Sequence, residues 1–301
     1  MPELPDVELY VGALKARIVQ QPLERIRLGN PFVVRTIQPA PAEAVGRVVS
    51  GIRRMGKRIV IQLSDDLYLV VHLMIAGRFR WREPRATIPA KVGLAAFDFP
   101  GGTLLLTEAG ARRQASIHVL RGADAVSAMD PRGLEVLDAT VDQFVDALRQ
   151  ENHTLKRSLT DPHVFSGIGN AYSDEILHAA RLSPLKQTRT LTDEEAERLF
   201  FATRTVLTDW TRRLREEAGD RFPEKVTAFR PGMAVHGRYG KPCPVCGSPV
   251  QRIVYARNEA NYCSRCQTGG RLLSDRSLSR LLREDWPRTL EELENRRKRL
   301  G

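Results

Sequence analysis

Val7, Val11, Leu14 and Ile18 recur every three or four positions near the start of the chain, the spacing of one helix face. Pro5 suits the first turn of that helix, where a missing N–H costs nothing. From about Ile26 to Leu120 the texture changes to short apolar runs: RIVIQL, LYLVVHLM, GLAAFDF and TLLLTEAG. SDD separates the first two runs and PGG the last two, both suited to hairpin turns. The pattern predicts an antiparallel two-layer β domain and not an alternating β/α fold.

RGADAVSAMDPRG reads as a linker. Beyond it, TVDQFVDALRQ, NAYSDEILHAARL and DEEAERLFFATRTVLTDWTRRLREE carry helical patterning and predict a helical domain up to about Glu217. A basic stretch from Phe222 to Val235 leads into a cysteine-bearing segment. The last residues, LSDRSLSRLLREDWPRTLEELENRRKRLG, predict one or two short charged helices.

Composition narrows the function. The chain has 301 residues, 42% of them hydrophobic, enough for a core and for two domains with a small appendage. Lys and Arg number 47 against 36 acids, a formal charge of +11 that favours an anionic partner, nucleic acid first. The most apolar run, LYLVVHLMIAG, holds a histidine and is too short to span a bilayer. All four cysteines fall between Cys243 and Cys266, so the rest of the chain offers no disulfide partner. That fits a cytoplasmic, reducing compartment, with no membrane partner expected.

The cysteines carry the most specific signal. Cys243 and Cys246 form one C-x2-C pair, and Cys263 and Cys266 form a second after sixteen intervening residues. Each pair turns two thiolates onto one metal, and a connecting hairpin completes a tetrahedron. The prediction is one structural Zn2+, because four thiolates leave no open position for chemistry. Arg252 and Arg257 on the hairpin are then placed to meet phosphate.

FSGIGNAYSDEIL offers a Gly-Ile-Gly turn with Asn170 at a helix start, a place that suits a phosphate oxygen and equally an ordinary tight turn. RRMGKRIV places Lys57 among Arg53, Arg54 and Arg58, either a solvated basic edge or a functional lysine. EAGARRQAS holds Arg112 and Arg113, surface charge or a DNA-facing loop. His72 sits before a glycine-ended loop, as a core histidine or a functional one.

In register, PELPDVE, GKR, HLMIAGRFRW, GIGNAYSDEI, HGRYGKPC and the cysteine hairpin ending in CQ resemble the formamidopyrimidine-DNA glycosylase and endonuclease VIII family. The resemblance runs from Met1 to about Gln267. It implies an α+β fold: an N-terminal antiparallel β-sandwich flanked by helices (1–129), a helix-two-turn-helix domain (130–235) and a zinc-finger hairpin (236–270). Residues 271–301 form a charged helical extension outside the family pattern.

By the same resemblance, Pro2 is the nucleophile once Met1 is removed, Glu3 the acid/base, and Lys57 a phosphate contact or an aid to base departure. DNA contacts are implied for His72, Met74, Ile75, Arg112, Gln114, Lys156, Gly169, Asn170, Arg257 and Asn258. The implied partner is damaged DNA, as duplex, single strand or bubble, handled by a monomer. The implied function is a base-excision repair glycosylase with AP lyase activity. The alternative is a catalytically silent zinc-finger protein that binds damaged DNA on the same scaffold.

The proline terminus makes chemical sense by itself. A terminal amine of pKa about 8 is roughly 10% neutral at pH 7, against about 0.04% for a lysine near 10.4. Condensation of a secondary amine gives a cationic iminium, an electron sink that acidifies the neighbouring C2′ protons.

Several positions depart from the family pattern. Asp6 stands where Glu is usual, and Ile75 where Met fills the gap left by a flipped base. Gln114 replaces a stacking Phe, although Arg112 is kept. Asn258 stands in place of an Arg, with Arg257 adjacent. The segment before HGRYG lacks the usual Gln-containing stretch that closes over oxidised guanine.

Overall fold

The structure is a computed structural model. It describes every residue except 111, 225, 228, 256–257, 275–286 and 301. The chain divides into two compact units: residues 1–133 with 208–228, and residues 134–207 with 229–301.

The first unit is a β-sandwich with a leading helix. Helix α1 (Leu4–Ile18) is followed by β1 (Arg25–Leu28), β2 (Val49–Met55), β3 (Arg58–Leu63), β4 (Leu67–His72), β5 (Gly77–Arg82), β6 (Gly93–Phe99), β7 (Gly102–Glu108) and β8 (Ser116–Arg121). One sheet has the order β1-β6-β7-β5 and the other β2-β3-β4-β8, each antiparallel throughout. The four apolar runs read from sequence coincide with β3, β4, β6 and β7. Strands β2, β5 and β8 fall outside those continuous runs: β5 and β8 bury only alternate residues and carry arginines or a histidine on the other face, and β2 holds two adjacent arginines.

Ile59, Ile61, Leu69, Val71, Phe97, Leu104, Leu106 and Val119 fill the space between the sheets, together with Val7, Val11, Leu14 and Ile18 of α1. β4 is apolar on both faces for a reason. Leu69 and Val71 face the sandwich core, whereas Tyr68 and Val70 pack with Val126 of the short helix α2 (Ala123–Ser127). That helix occupies the stretch expected to be a linker.

The second unit is helical. It contains α3 (Val141–Arg149), α4 (Leu155–Thr160), α5 (Asn170–Ala179) and the first part of α6 (Asp193–Ala218), whose residues from Thr208 onward group with the first unit. Phe144, Phe165 and Phe200 are buried against one another, with ring centroids 4.6 and 5.5 Å from Phe144. An antiparallel hairpin of β9 (Gln251–Tyr255) and β10 (Asn258–Tyr262) follows, then the short helix α7 (Ser264–Thr268). The tail returns through a bridge between Arg271 and Thr289 into helix α8 (Leu290–Leu300); residues 275–286 of the expected tail helices lie outside the described residues.

Candidate functional site

Three loops of the sandwich leave from one end. Arg58 pairs with His72, and His72 with Ser116, so a single row crosses β3, β4 and β8. Beyond that row lie the Gly56–Lys57 turn, the loop of residues 73–76, and the loop before β8. The first is a two-residue hairpin closed by Met55 and Arg58, and Gly56 supplies the left-handed φ of 58° that its first position needs.

The chain start reaches the same region. Pro2 is buried and Glu3 is 2% exposed. Glu3 caps α1, and its backbone N–H donates to Asp6 Oδ2 at 3.0 Å. The Asp at position 6 is therefore engaged in fixing the backbone that presents Glu3. The terminal amine, carried by Met1 in the unprocessed chain, feels the charges of Glu3, Arg78, Asp6 and Lys57, and burial holds its pKa below the ordinary value. Burial likewise lowers the pKa of Lys57, opposed by the negative charge of Glu3. The structure thus brings the amine, Glu3 and Lys57 within electrostatic reach of one another.

Arg54 explains why Lys57 is held there. Its guanidinium bonds Glu8 of α1 and the carbonyl of Gly56, so this arginine is a latch and not a solvated edge. Arg78 is a second residue that sequence reasoning missed. It lies near the amine, and its Nε donates to the carbonyl of Val226 at 2.6 Å.

His72 has its pKa pushed down to about 4, first by burial and then by the charges of Arg58, Lys57 and His118. It is a neutral imidazole at physiological pH. The loop beyond it turns tightly: Gly77 N–H donates to the Leu73 carbonyl at 2.9 Å, and a Cβ on Gly77 would meet that oxygen at 2.1 Å. Met74 adopts a left-handed φ of 53°, and Ile75 is 64% exposed at the tip. Across the row, buried Glu108 accepts the N–H groups of Gln114 and Ala115 at 2.8 and 3.0 Å. Arg112 and Gln114 are exposed, and Arg113 is tied to the Lys91 carbonyl.

In the second unit, α5 begins at Asn170 after an extended Gly169, and Gly167 turns the chain with a φ of 79°. Such a helix start attracts phosphate. Lys156 is committed inside the protein: Nζ donates to Asn170 O at 2.7 Å, Ser173 Oγ at 2.8 Å and Asp174 Oδ1 at 2.5 Å. An ammonium has three hydrogens, so its role is to fix the first turn of α5.

The thiolates of Cys243, Cys246, Cys263 and Cys266 all lie within 4.8 Å of one another. Cys243 and Cys266 are 3.9 Å apart and Cys246 and Cys263 3.4 Å, close to the edge of about 3.8 Å for a tetrahedron with Zn–S bonds near 2.3 Å. Burial pushes the Cys263 thiol up to about 11 and Cys266 up as well, whereas at Cys246 burial is outweighed by hydrogen bonds from Ser248 and the neighbouring cysteines, which bring the thiol down to about 6. One sulfur ionises readily, and all four do so together only beside a cation. The donor set fits one structural zinc. His178 Nε2 lies 3.3 Å from Cys243 Sγ, and Gln267 bridges Cys263 N–H to the Leu182 carbonyl. On the hairpin, the exposed Arg252 stacks 4.5 Å over Tyr239. Arg257 lies outside the described residues, and Asn258 is placed only by its backbone, opposite Tyr255.

A two-sheet sandwich followed by a helical unit and a four-cysteine hairpin defines a class, and the comparisons identify it. Family models match the formamidopyrimidine-DNA glycosylase N-terminal domain over residues 1–117, its H2TH domain over 129–214, and the zinc finger found in FPG and IleRS over 240–269. A formamidopyrimidine-DNA glycosylase of Thermus thermophilus is 34% identical over 278 residues, covering 90% of this chain and all of that protein. The crystal structure of MutM (Fpg) from that organism superposes with a TM-score of 0.74 at 32% identity, covering 88% of this chain and 98% of the other. A Lactococcus lactis Fpg variant in complex with DNA containing Fapy-dG gives 0.76 at 26% identity, over 89% and 100%. This chain belongs to the formamidopyrimidine-DNA glycosylase family, and its cysteine hairpin holds the family's zinc. Among the described residues no helix is long and apolar enough to cross a membrane.

Proposed function

We propose that this family member is a base-excision repair DNA glycosylase with AP lyase activity, acting through Pro2 after removal of Met1. The observation that carries the reading is the convergence of the buried terminal amine, Glu3 and Lys57 at one end of the sandwich.

The lone pair of the Pro2 nitrogen attacks C1′, and the damaged base departs with the C1′–N bond electrons and takes up a proton. The nitrogen gives up its proton, and O4′ leaves C1′ with the bonding electrons and takes up a proton, so that a cationic iminium joins Pro2 and C1′. Glu3 serves the proton transfers at the sugar ring. A base removes a C2′ proton, and the C–H electron pair enters the iminium to give an enamine. The enamine expels the 3′ phosphate with the C3′–O bond electrons, and a second elimination expels the 5′ phosphate in the same way. Burial lowers the pKa of the Met1 amine, and Pro2 beside it is buried too. Once Met1 is removed, the same desolvation would favour the neutral, nucleophilic form of the Pro2 amine. Lys57, partly desolvated beside Glu3, supplies positive charge to a phosphate or to the departing base.

The four-thiolate zinc stabilises the finger, whose hairpin presents Arg252 to DNA. Damaged DNA is the partner: Asn170 at the start of α5 takes a backbone phosphate, and His72 a second as a neutral donor.

Borohydride trapping on DNA with an abasic site tests the reading. The chain beginning at Pro2 forms a covalent adduct, whereas a chain with Met1 retained or an N-terminal tag binds the same DNA without being trapped. Full trapping of a chain shown by mass spectrometry to keep Met1 overturns the assignment of Pro2.

A further inference from the structure

Helix α5 is buried from Ala171 to His178, yet it carries Asp174, Glu175 and His178. Acidic side chains are rarely buried so completely unless they are paired. Asp174 is 1% exposed and has three partners from three different segments. Lys156 of α4 reaches Oδ1, while His236 Nδ1 and Asn261 Nδ2 of β10 reach Oδ2 at 2.8 and 3.1 Å. The neighbouring Glu175 accepts the backbone N–H groups of Ala234, Val235 and His236 at 2.6 to 2.9 Å. His236 is 5% exposed, and its ring stacks on Phe229 at a centroid distance of 5.5 Å.

These bonds join two places. On one side of the carboxylate, Lys156 grips the Asn170 carbonyl and so fixes the first turn of α5. On the other, His236 and Asn261 hold the cysteine-bearing segment and the inner strand of the hairpin. A buried charge network is a costly way to fill space, and an apolar cluster of the same volume stabilises as well. What the network adds is a fixed geometry.

We propose that Asp174 and His236 form a positioning pair that holds the phosphate-accepting start of α5 and the zinc hairpin in one fixed relation, so that both grip DNA together. This rests on the DNA-binding reading above. Neither residue touches the reacting atoms; the pair acts through Lys156, Asn170 and the hairpin.

The test compares His236→Phe, which removes the donor to Asp174, with His236→Asn, which places an N–H at the position of Nδ1. Each is measured for affinity to a duplex with a tetrahydrofuran abasic analogue, for zinc content, and for single-turnover trapping at saturating enzyme. His236→Phe should bind about tenfold more weakly, as expected for loss of a hydrogen bond to a charged group, while retaining one zinc per chain. The loss should fall on affinity more than on the saturated rate, and His236→Asn should recover most of it. Wild-type affinity of His236→Phe, or equal weakness of both variants, overturns the proposal. If His236→Phe does not fold or loses zinc, Asn261→Ala carries the test, since it removes one donor only; about threefold weaker binding is expected, and unchanged affinity overturns the proposal. Binding to the analogue needs no chemistry, so failure of the unmodified chain to trap abasic DNA would refute the lyase reading separately.

Discussion

Arg54 donates from Nε to Glu8 Oε1 at 2.9 Å and from Nη1 to the Gly56 carbonyl at 3.0 Å. One guanidinium therefore fastens the turn that carries Lys57 to the helix that Glu3 caps. The relative placement of Lys57 and the chain start depends on this contact.

Arg54→Met keeps the apolar stem and removes both bonds. Hydrogen bonds to charged groups contribute about 1.5–3 kcal/mol, so the variant should melt several degrees lower. The expected functional loss is larger than the loss of stability suggests: about tenfold in the trapping rate, from misplacement of Lys57. Single-turnover trapping at saturating enzyme checks this, and a rate equal to that of the unaltered chain would remove Arg54 from the site.

His72 makes a prediction in pH. Well above pH 6.5 the imidazole is neutral in both the folded and unfolded chain, so it contributes no pH dependence there. Between 6.5 and its folded value of about 4, the unfolded chain binds a proton that the fold refuses, and stability falls with pH. The full loss is about 3 kcal/mol. His72→Asn should flatten the decline in urea midpoint between pH 7 and pH 4.5. Parallel slopes for the two proteins would mean that His72 titrates normally.

Much of this was readable from the chain, and the reasons are physical. β4, β6 and β7 are apolar along most of their length because both their faces are covered, and β3 because all but its Arg58 and Gln62 are buried; runs of that kind survive without any alignment. The zinc set was legible because a tetrahedral thiolate site constrains spacing directly. Arg54, Asp174 and His236 were not, since a side-chain hydrogen bond joins residues far apart in sequence: 46 positions for Arg54 and Glu8, 62 for Asp174 and His236. Nothing local marks an arginine as a latch. Lys156 carried a DNA contact by resemblance alone, and the geometry shows all three of its donors engaged within the protein.

Removing the metal should unmake the hairpin and leave the sandwich intact. Cys246→Ser breaks the four-thiolate set, and metal binding in such modules is folding free energy. The expected result is loss of zinc, at least tenfold weaker duplex binding, and an unchanged circular dichroism signal from the sandwich. A variant without metal that keeps normal duplex affinity would show that the finger does not touch DNA.

Glu224 and Val226, in the stretch where a closing loop is expected, are fastened to β5: Arg78 holds the Val226 carbonyl, and Arg80 and Arg82 both pair with Glu224. Val226 is 3% exposed and packs into the sandwich core. Residues held at these two points are poorly suited to fold over a base. At the loop tips, exposed Ile75 offers an apolar wedge, but Gln114 has no ring to stack where the family has Phe. Opening a well-stacked pair costs a few kcal/mol, and less for a damaged or mispaired base or a single strand. Activity should therefore be weak on 8-oxoguanine opposite cytosine and stronger on ring-opened purines, oxidised pyrimidines, abasic sites or single strands. Gln114→Phe should raise excision from the stacked duplex severalfold and change the single-stranded rate little. Single-turnover excision on matched oligonucleotides at excess enzyme decides it. If the unaltered chain removes 8-oxoguanine opposite cytosine fastest, neither the residues held at β5 nor the missing ring limits it.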